Sequence, residues 1–125
     1  MRLLLDTQIV YWFFYEQQNV PQQAYDHMHN ADAVFVSAAS VWEIAIKVRI
    51  GKMKADPEKV VQWMEAAGFQ ELPVFSKHTV LVAGMPLYHG DPFDRLLIAQ
   101  AITELMQFLT ADKRLTEYSD LVICA

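Results

Sequence analysis

A chain of 125 residues, 54% hydrophobic and 20% charged, suits one domain with a single core and has no room for a second. Fifteen acids against ten Lys and Arg give a net charge of −5, which excludes a protein that grips nucleic acid by being basic all over. The lone cysteine, Cys124, excludes a disulfide framework and a thiolate metal cage, and suits a reducing cytoplasm.

The first residues, Met1-Arg2-Leu3-Leu4-Leu5, hint at a signal peptide, but Asp6 cuts the apolar run and no small-residue cleavage site follows. The longest uninterrupted apolar stretch, Ile9 to Tyr15, is seven residues. About 20 are needed to span a bilayer, so a soluble protein is expected. Leu3 to Leu5 reads as a buried strand, too short and too uniformly apolar for a helix. Helical periodicity covers Thr7–Gln17 and Gln22–Asn30, and a second strand falls at Ala33–Val36. Further helices are predicted at Ala38–Ile50, Pro57–Ala67, Lys77–Ala83 and Pro92–Met106, and further strands at Phe108–Leu109 and Leu121–Ile123. Flat apolar strands separated by helices mean an α/β three-layer sandwich, a central mostly parallel sheet flanked by helices, over 1–125. In such sheets ligands bind beyond the carboxyl ends of the strands. Tyr11-Trp12-Phe13-Phe14-Tyr15 is apolar on every side of its helix, which predicts a cover from a second copy or a partner protein.

Four acids fall where that rule directs attention. Asp6 directly follows the first strand, with Thr7 opening a helix, and helix capping explains it as well as a ligand role does. Asp112 repeats the arrangement after Gln107-Phe108-Leu109-Thr110-Ala111, and capping explains it equally. In Asp91-Pro92-Phe93-Asp94-Arg95, Asp91 reads as N-cap, Pro92 as N1 and Asp94 as N3. Asp91 is then structural, whereas the Asp94 carboxylate, one turn inside the helix start, can point into whatever cleft that end faces. Glu43 lies in an otherwise apolar helix; it either pairs with Lys47 one turn on, for about 0.2–0.5 kcal/mol, or faces a cleft. Packed together, the four would repel and could not all ionise at neutral pH. A divalent cation removes the conflict. An all-oxygen donor set favours Mg²⁺ or Mn²⁺, and two such ions roughly 3.5–4 Å apart can drive in-line displacement at phosphorus.

These residues resemble a known family. Leu4-Leu5-Asp6-Thr7, Ser40-Val41-Trp42-Glu43-Ile44-Ala45-Ile46-Lys47, the block from Asp91 to Ala101, and Leu109-Thr110-Ala111-Asp112 are similar to PIN-domain ribonucleases, specifically VapC toxins of type II toxin–antitoxin systems. The spacings between successive acids, 37, 51 and 18 residues, are also like the family's, and the resemblance runs over essentially the whole chain. It implies a Rossmann-like PIN fold and metal-dependent hydrolysis of RNA to 5′-phosphate and 3′-hydroxyl ends. It implies Asp6, Glu43, Asp94 and Asp112 as the catalytic acids holding Mg²⁺ or Mn²⁺, with Asp6 shared between ions. Thr110, and beside it Thr7, are expected to support the metal-bound layer from behind. The implied partners are RNA, a small VapB-type antitoxin whose C-terminal segment lies across the site, and a second copy in a homodimer. Two positions depart from many relatives: Gln8 stands where histidine is common, and Tyr88-His89-Gly90 replaces a histidine pair. Neither is a metal ligand, so substrate choice is what they bear on.

Lys47, Arg49, Lys52, Lys54 and Lys59 share a stretch with only Asp56 and Glu58 as acids, either a solvated helix end or a rim that guides phosphate. Arg95, Lys113 with Arg114, and His89, in the loop leading to the Asp94 helix, are further candidates for RNA contact. His27 and His29, two apart on a helix, read as surface residues. Two alternative functions stand beside the nuclease: an inactive PIN-like interaction module and a receiver-like Mg²⁺-binding signalling domain. The second needs an acidic pair after the first strand, where this chain has Asp6 followed by Thr7.

Overall fold

A computed structural model describes residues 1–88 and 90–125. Five strands, β1 (Leu3–Leu5), β2 (Val34–Ser37), β3 (Gln70–Leu72), β4 (Gln107–Thr110) and β5 (Val122–Cys124), form one sheet in the order β3-β2-β1-β4-β5. Every pairing is parallel, so the mostly parallel sheet expected from the sequence is parallel throughout the described residues. The helices are α1 (Thr7–Tyr15), α2 (Gln22–Asn30), α3 (Ala38–Arg49), α4 (Pro57–Ala66), α5 (Ser76–Val82) and α6 (Pro92–Glu104), with 3₁₀ turns at Gln17–Asn19 and Lys113–Tyr118.

Strand alternation sorts the core into two layers. Leu3, Leu5, Val36 and Leu109 pack with Ile9, Val10, Ile44, Val60 and Met64 on one face of the sheet. Leu4 and Phe108 pack with Leu97, Ile98, Ala101 and Leu115 on the other. Both faces of β1 are thus covered, which is why its three leucines read as a continuous apolar run.

β3 is the strand that sequence reading missed. It is an edge strand, paired only to β2, with Gln70 and Glu71 exposed and Leu72 alone buried, so it presents no apolar run. Two helices, α1 and α6, end two residues earlier than predicted. α1 stops at Tyr15, where Glu16 leaves helical geometry (φ −140°, ψ 61°). α6 stops at Glu104 because Leu105 takes the left-handed conformation (φ 55°) and turns the chain into β4.

The aromatic run of α1 is partly covered from within the chain. Phe13 meets Tyr25 and Phe69, Phe14 meets Trp63 and Phe69, and Tyr15 meets Trp63, all with ring centroids 5.1–6.2 Å apart. All five residues of Tyr11–Tyr15 nevertheless stay half-buried, which leaves room for the further cover expected from the sequence. α2, α4 and the segment entering β3 supply the rings, a long-range packing that periodicity within α1 does not reveal.

Candidate active site

β1 lies at the centre of the sheet. From it the chain builds outward through β2 and β3 on one side, then crosses to β4 and β5 on the other. The reversal opens a crevice at the carboxyl ends of β1 and β4, the usual ligand position in such sheets. A cleft of about 570 Å³ sits there, lined by Asp6, Glu43, Asp91, Asp94 and Asp112 together with Thr7, Gln8, Trp12, Lys47, Ala111, Lys113 and Arg114. All four sequence-predicted acids are therefore brought into one cleft.

Each acid is delivered by local structure. Asp6 is the residue after β1, and its backbone N–H donates to Leu109 O, tying it to β4. Its side chain makes no helix-cap bond, so capping does not explain it. Instead Thr110 Oγ1 donates to Asp6 Oδ2 at 2.6 Å. The same oxygen of Thr110 accepts the Asp112 backbone N–H at 3.0 Å. One hydroxyl at the end of β4 thus links both acids. Asp91 caps α6, accepting from the N–H groups of Phe93 (2.8 Å) and Asp94 (3.4 Å), and thereby sets Asp94 in the first turn facing the cleft.

The two readings of Glu43 are both realised. Its Oε2 pairs with Lys47 Nζ at 2.9 Å, yet the side chain is 6% exposed and lines the cleft. Asp112 likewise both caps and lines: Oδ1 accepts from the Arg114 backbone N–H and Nε, and Oδ2 from the Arg114 guanidinium at 2.7 Å.

Proximity of like charge shows in the protonation equilibria. Burial pushes Asp6 up to about 6, against the pull of Thr110, and Glu43 and Asp112 raise it further. Asp94 is pushed up to about 8, by burial first and then by Asp6, Asp91, Glu43 and Asp112. Lys47, although burial works against its charge, is raised by Glu43, Asp91 and Asp94.

These residues fit a divalent cation. Glu43 Oε1 is buried without a hydrogen-bond partner, an acceptor oriented for a ligand, and the donor set is entirely oxygen, as Mg²⁺ and Mn²⁺ prefer. Among the described residues no three acids or histidines converge into a ready-made cage. Lys47 holds Glu43 and Arg114 holds Asp112 by the contacts above.

Other sequence-predicted positions fare differently. Lys47 and Lys113 line the cleft. Arg95 does not, and its Nε is buried without a partner. Thr7 lines the cleft; its hydroxyl donates to Ser40 Oγ at 2.9 Å and ties α1 to α3, and it is its backbone N–H, not its side chain, that acts on Asp6. His89 lies outside the described residues. Trp12 was missed as a cleft residue; the available signal was its position four residues after Gln8, on the same face of α1.

A PIN domain model matches residues 3–121, and the chain belongs to that family. It is similar to Ribonuclease VapC22 of Mycobacterium tuberculosis, at 29% identity over 120 residues, 93% of this chain and 91% of the relative. Its fold is similar to a chain of VapBC2 from Rickettsia felis bound to a DNA fragment from the promoter, with a TM-score of 0.73, 16% identity, and 100% and 98% of the two chains covered. A toxin–antitoxin complex from Klebsiella pneumoniae aligns with a TM-score of 0.66 at 12% identity, over 97% and 95%. At these identities the structural likeness is one of fold.

Proposed function

We propose that this protein is a divalent-metal-dependent endoribonuclease, the toxin of a toxin–antitoxin pair, acting as one PIN domain. The observation that carries the reading is the meeting of Asp6, Glu43, Asp94 and Asp112 in one cleft of a PIN-family chain similar to a ribonuclease along 93% of its length.

Asp6, Glu43, Asp94 and Asp112 would hold Mg²⁺ or Mn²⁺, with Asp6 the central ligand. When bound, such ions supply positive charge at a scissile phosphate and acidify a water enough to attack it at neutral pH. Thr110 keeps Asp6 Oδ2 fixed through its 2.6 Å bond, so the central carboxylate need not reorganise. Lys47, Lys113 and Arg114 at the rim attract the flanking phosphates, confining the attraction for RNA to the cleft of an otherwise acidic protein. Water adds to phosphorus, the bond to the 3′-oxygen breaks, and the products carry a 5′-phosphate and a 3′-hydroxyl. The partner is a VapB-type antitoxin whose C-terminal segment covers the cleft, the toxin itself pairs as a homodimer, and the site of action is the cytoplasm.

The deciding experiment is incubation of total RNA with antitoxin-free protein and Mg²⁺ or Mn²⁺, beside EDTA and a folded Asp6→Asn variant. Discrete fragments with 5′-phosphates, lost in both controls, are expected. Folded, partner-free protein that leaves RNA intact with either metal would overturn the reading.

A further inference from the structure

Trp42 on α3 is 60% exposed, unusual for the largest side chain on a helix that is otherwise well covered. Its ring meets Phe93, half-buried at the start of α6, at 5.1 Å and an interplanar angle of 67°. Each ring belongs to the residue directly before an acid of the cleft, Trp42 before Glu43 and Phe93 before Asp94. Successive helical residues diverge by about 100°. The aromatic pair therefore stands beside the carboxylates, at the α3–α6 flank of the cleft, and is not among its lining residues.

The surroundings point to one kind of occupant. Ala38, Ala39, Ala45 and Ile46, one turn to either side of Trp42 on α3, are small or at least half-buried. On this side of α3 the large open apolar group is thus one flat ring, that of Trp42. An edge-on aromatic brace uses part of the indole and leaves the remainder for stacking. Lys47, five residues further along α3 and paired with Glu43, lines the adjoining cleft.

We propose that Trp42, braced by Phe93, is a stacking platform for one unpaired nucleobase of the RNA beside the bond to be cut. The proposal rests on the nuclease reading above and adds to it a positioning residue, one that takes a base free to swing out. Stacking on an indole is tolerant of base identity, so the platform selects strandedness first and sequence second.

The test uses the full chain carrying Asp6→Asn, which prevents cutting, alone and combined with Trp42→Leu or Trp42→Phe. The probes are a single-stranded RNA of roughly eight nucleotides and an abasic strand of the same length. Trp42→Leu keeps an apolar side chain at an exposed position, so circular dichroism should be unchanged. The expected result is about tenfold weaker binding of the RNA strand by the Leu variant, with the Phe variant between. Tryptophan fluorescence quenched by the strand should lose that component in both variants, and the abasic strand should bind all three proteins alike. Equal RNA affinity across the variants, or an equal loss with the abasic strand, would overturn the platform. So would a change confined to oligomeric state by light scattering, which would make Trp42 a protein contact. If the unaltered chain cuts RNA while the Trp42 variants bind alike, only this inference fails. If it neither cuts nor binds, the nuclease reading fails with it.

Discussion

Thr110 carries the hydroxyl on which two acids depend, donating to Asp6 and accepting the backbone N–H of Asp112. Thr110→Val keeps the shape and removes both bonds. We expect Mn²⁺ affinity by calorimetric titration to fall roughly 10–100-fold, with the fold intact. Asp6→Asn strikes the proposed central ligand and should lower RNA cleavage by on the order of 100-fold or more in a kinetic assay. Lys47→Met separates the two roles of Glu43: it leaves a buried carboxylate with Oε1 and Oε2 both unmatched. The metal-free variant should lose about 1–3 kcal/mol in urea unfolding, and Mn²⁺ should restore much of the loss. At this scale the sequence was informative about identity and poor about partners. Asp6, Glu43, Asp94 and Asp112 were legible because strand ends and helix starts put acids at one sheet edge. That Thr7 turns to Ser40, and that Arg114 clamps Asp112 with both ends of its guanidinium, depends on rotamers that spacing does not encode.

The start of α6 shows how an element serves a site. Asp91 caps it with two backbone bonds and also adds negative charge to the cleft, raising Asp94. The two effects separate by substitution. Asp91→Ala should cost about 1 kcal/mol and lower Tm by roughly 4 °C. Asp91→Asn keeps a good cap while removing the charge, so its Tm should stay near that of the parent and Asp94 should titrate lower, as carbon-detected NMR would report. The elements legible in the sequence are those whose signal is local. α6 announces itself through Asp91, Pro92 and Asp94, and β1 through three leucines. β3 was hidden because an edge strand with one buried residue has no pattern. The end of α6 was overrun because the left-handed turn at Leu105 falls on a residue that gives no warning of it.

For the molecule as a whole, burial and then crowding of the carboxylates make stability depend on pH in a direction opposite to that of most salt-bridged proteins. Asp6 and Asp94 titrate near 6 and 8 in the folded chain, against an ordinary value of 3.8. Between those limits the folded state holds more protons than the unfolded one, so stability is full below about pH 4 and is lost as pH rises toward 8. Metal-free protein should therefore melt roughly 5 °C lower at pH 8 than at pH 5 by calorimetry, and saturating Mg²⁺ or Mn²⁺ should abolish or reverse the difference. A flat metal-free profile would mean that the acids do not crowd in solution as they do here. The sheet order has a further consequence, for the time at which the protein becomes active. The centre of the sheet is the first strand made, but its neighbour β4 and the acids Asp94 and Asp112 come last in the chain. A polypeptide emerging from the ribosome carries half of the cleft, Asp6 and Glu43, for most of its synthesis. Under the proposed function it would gain activity toward the RNA machinery that is making it only when the final strands dock and supply the other half.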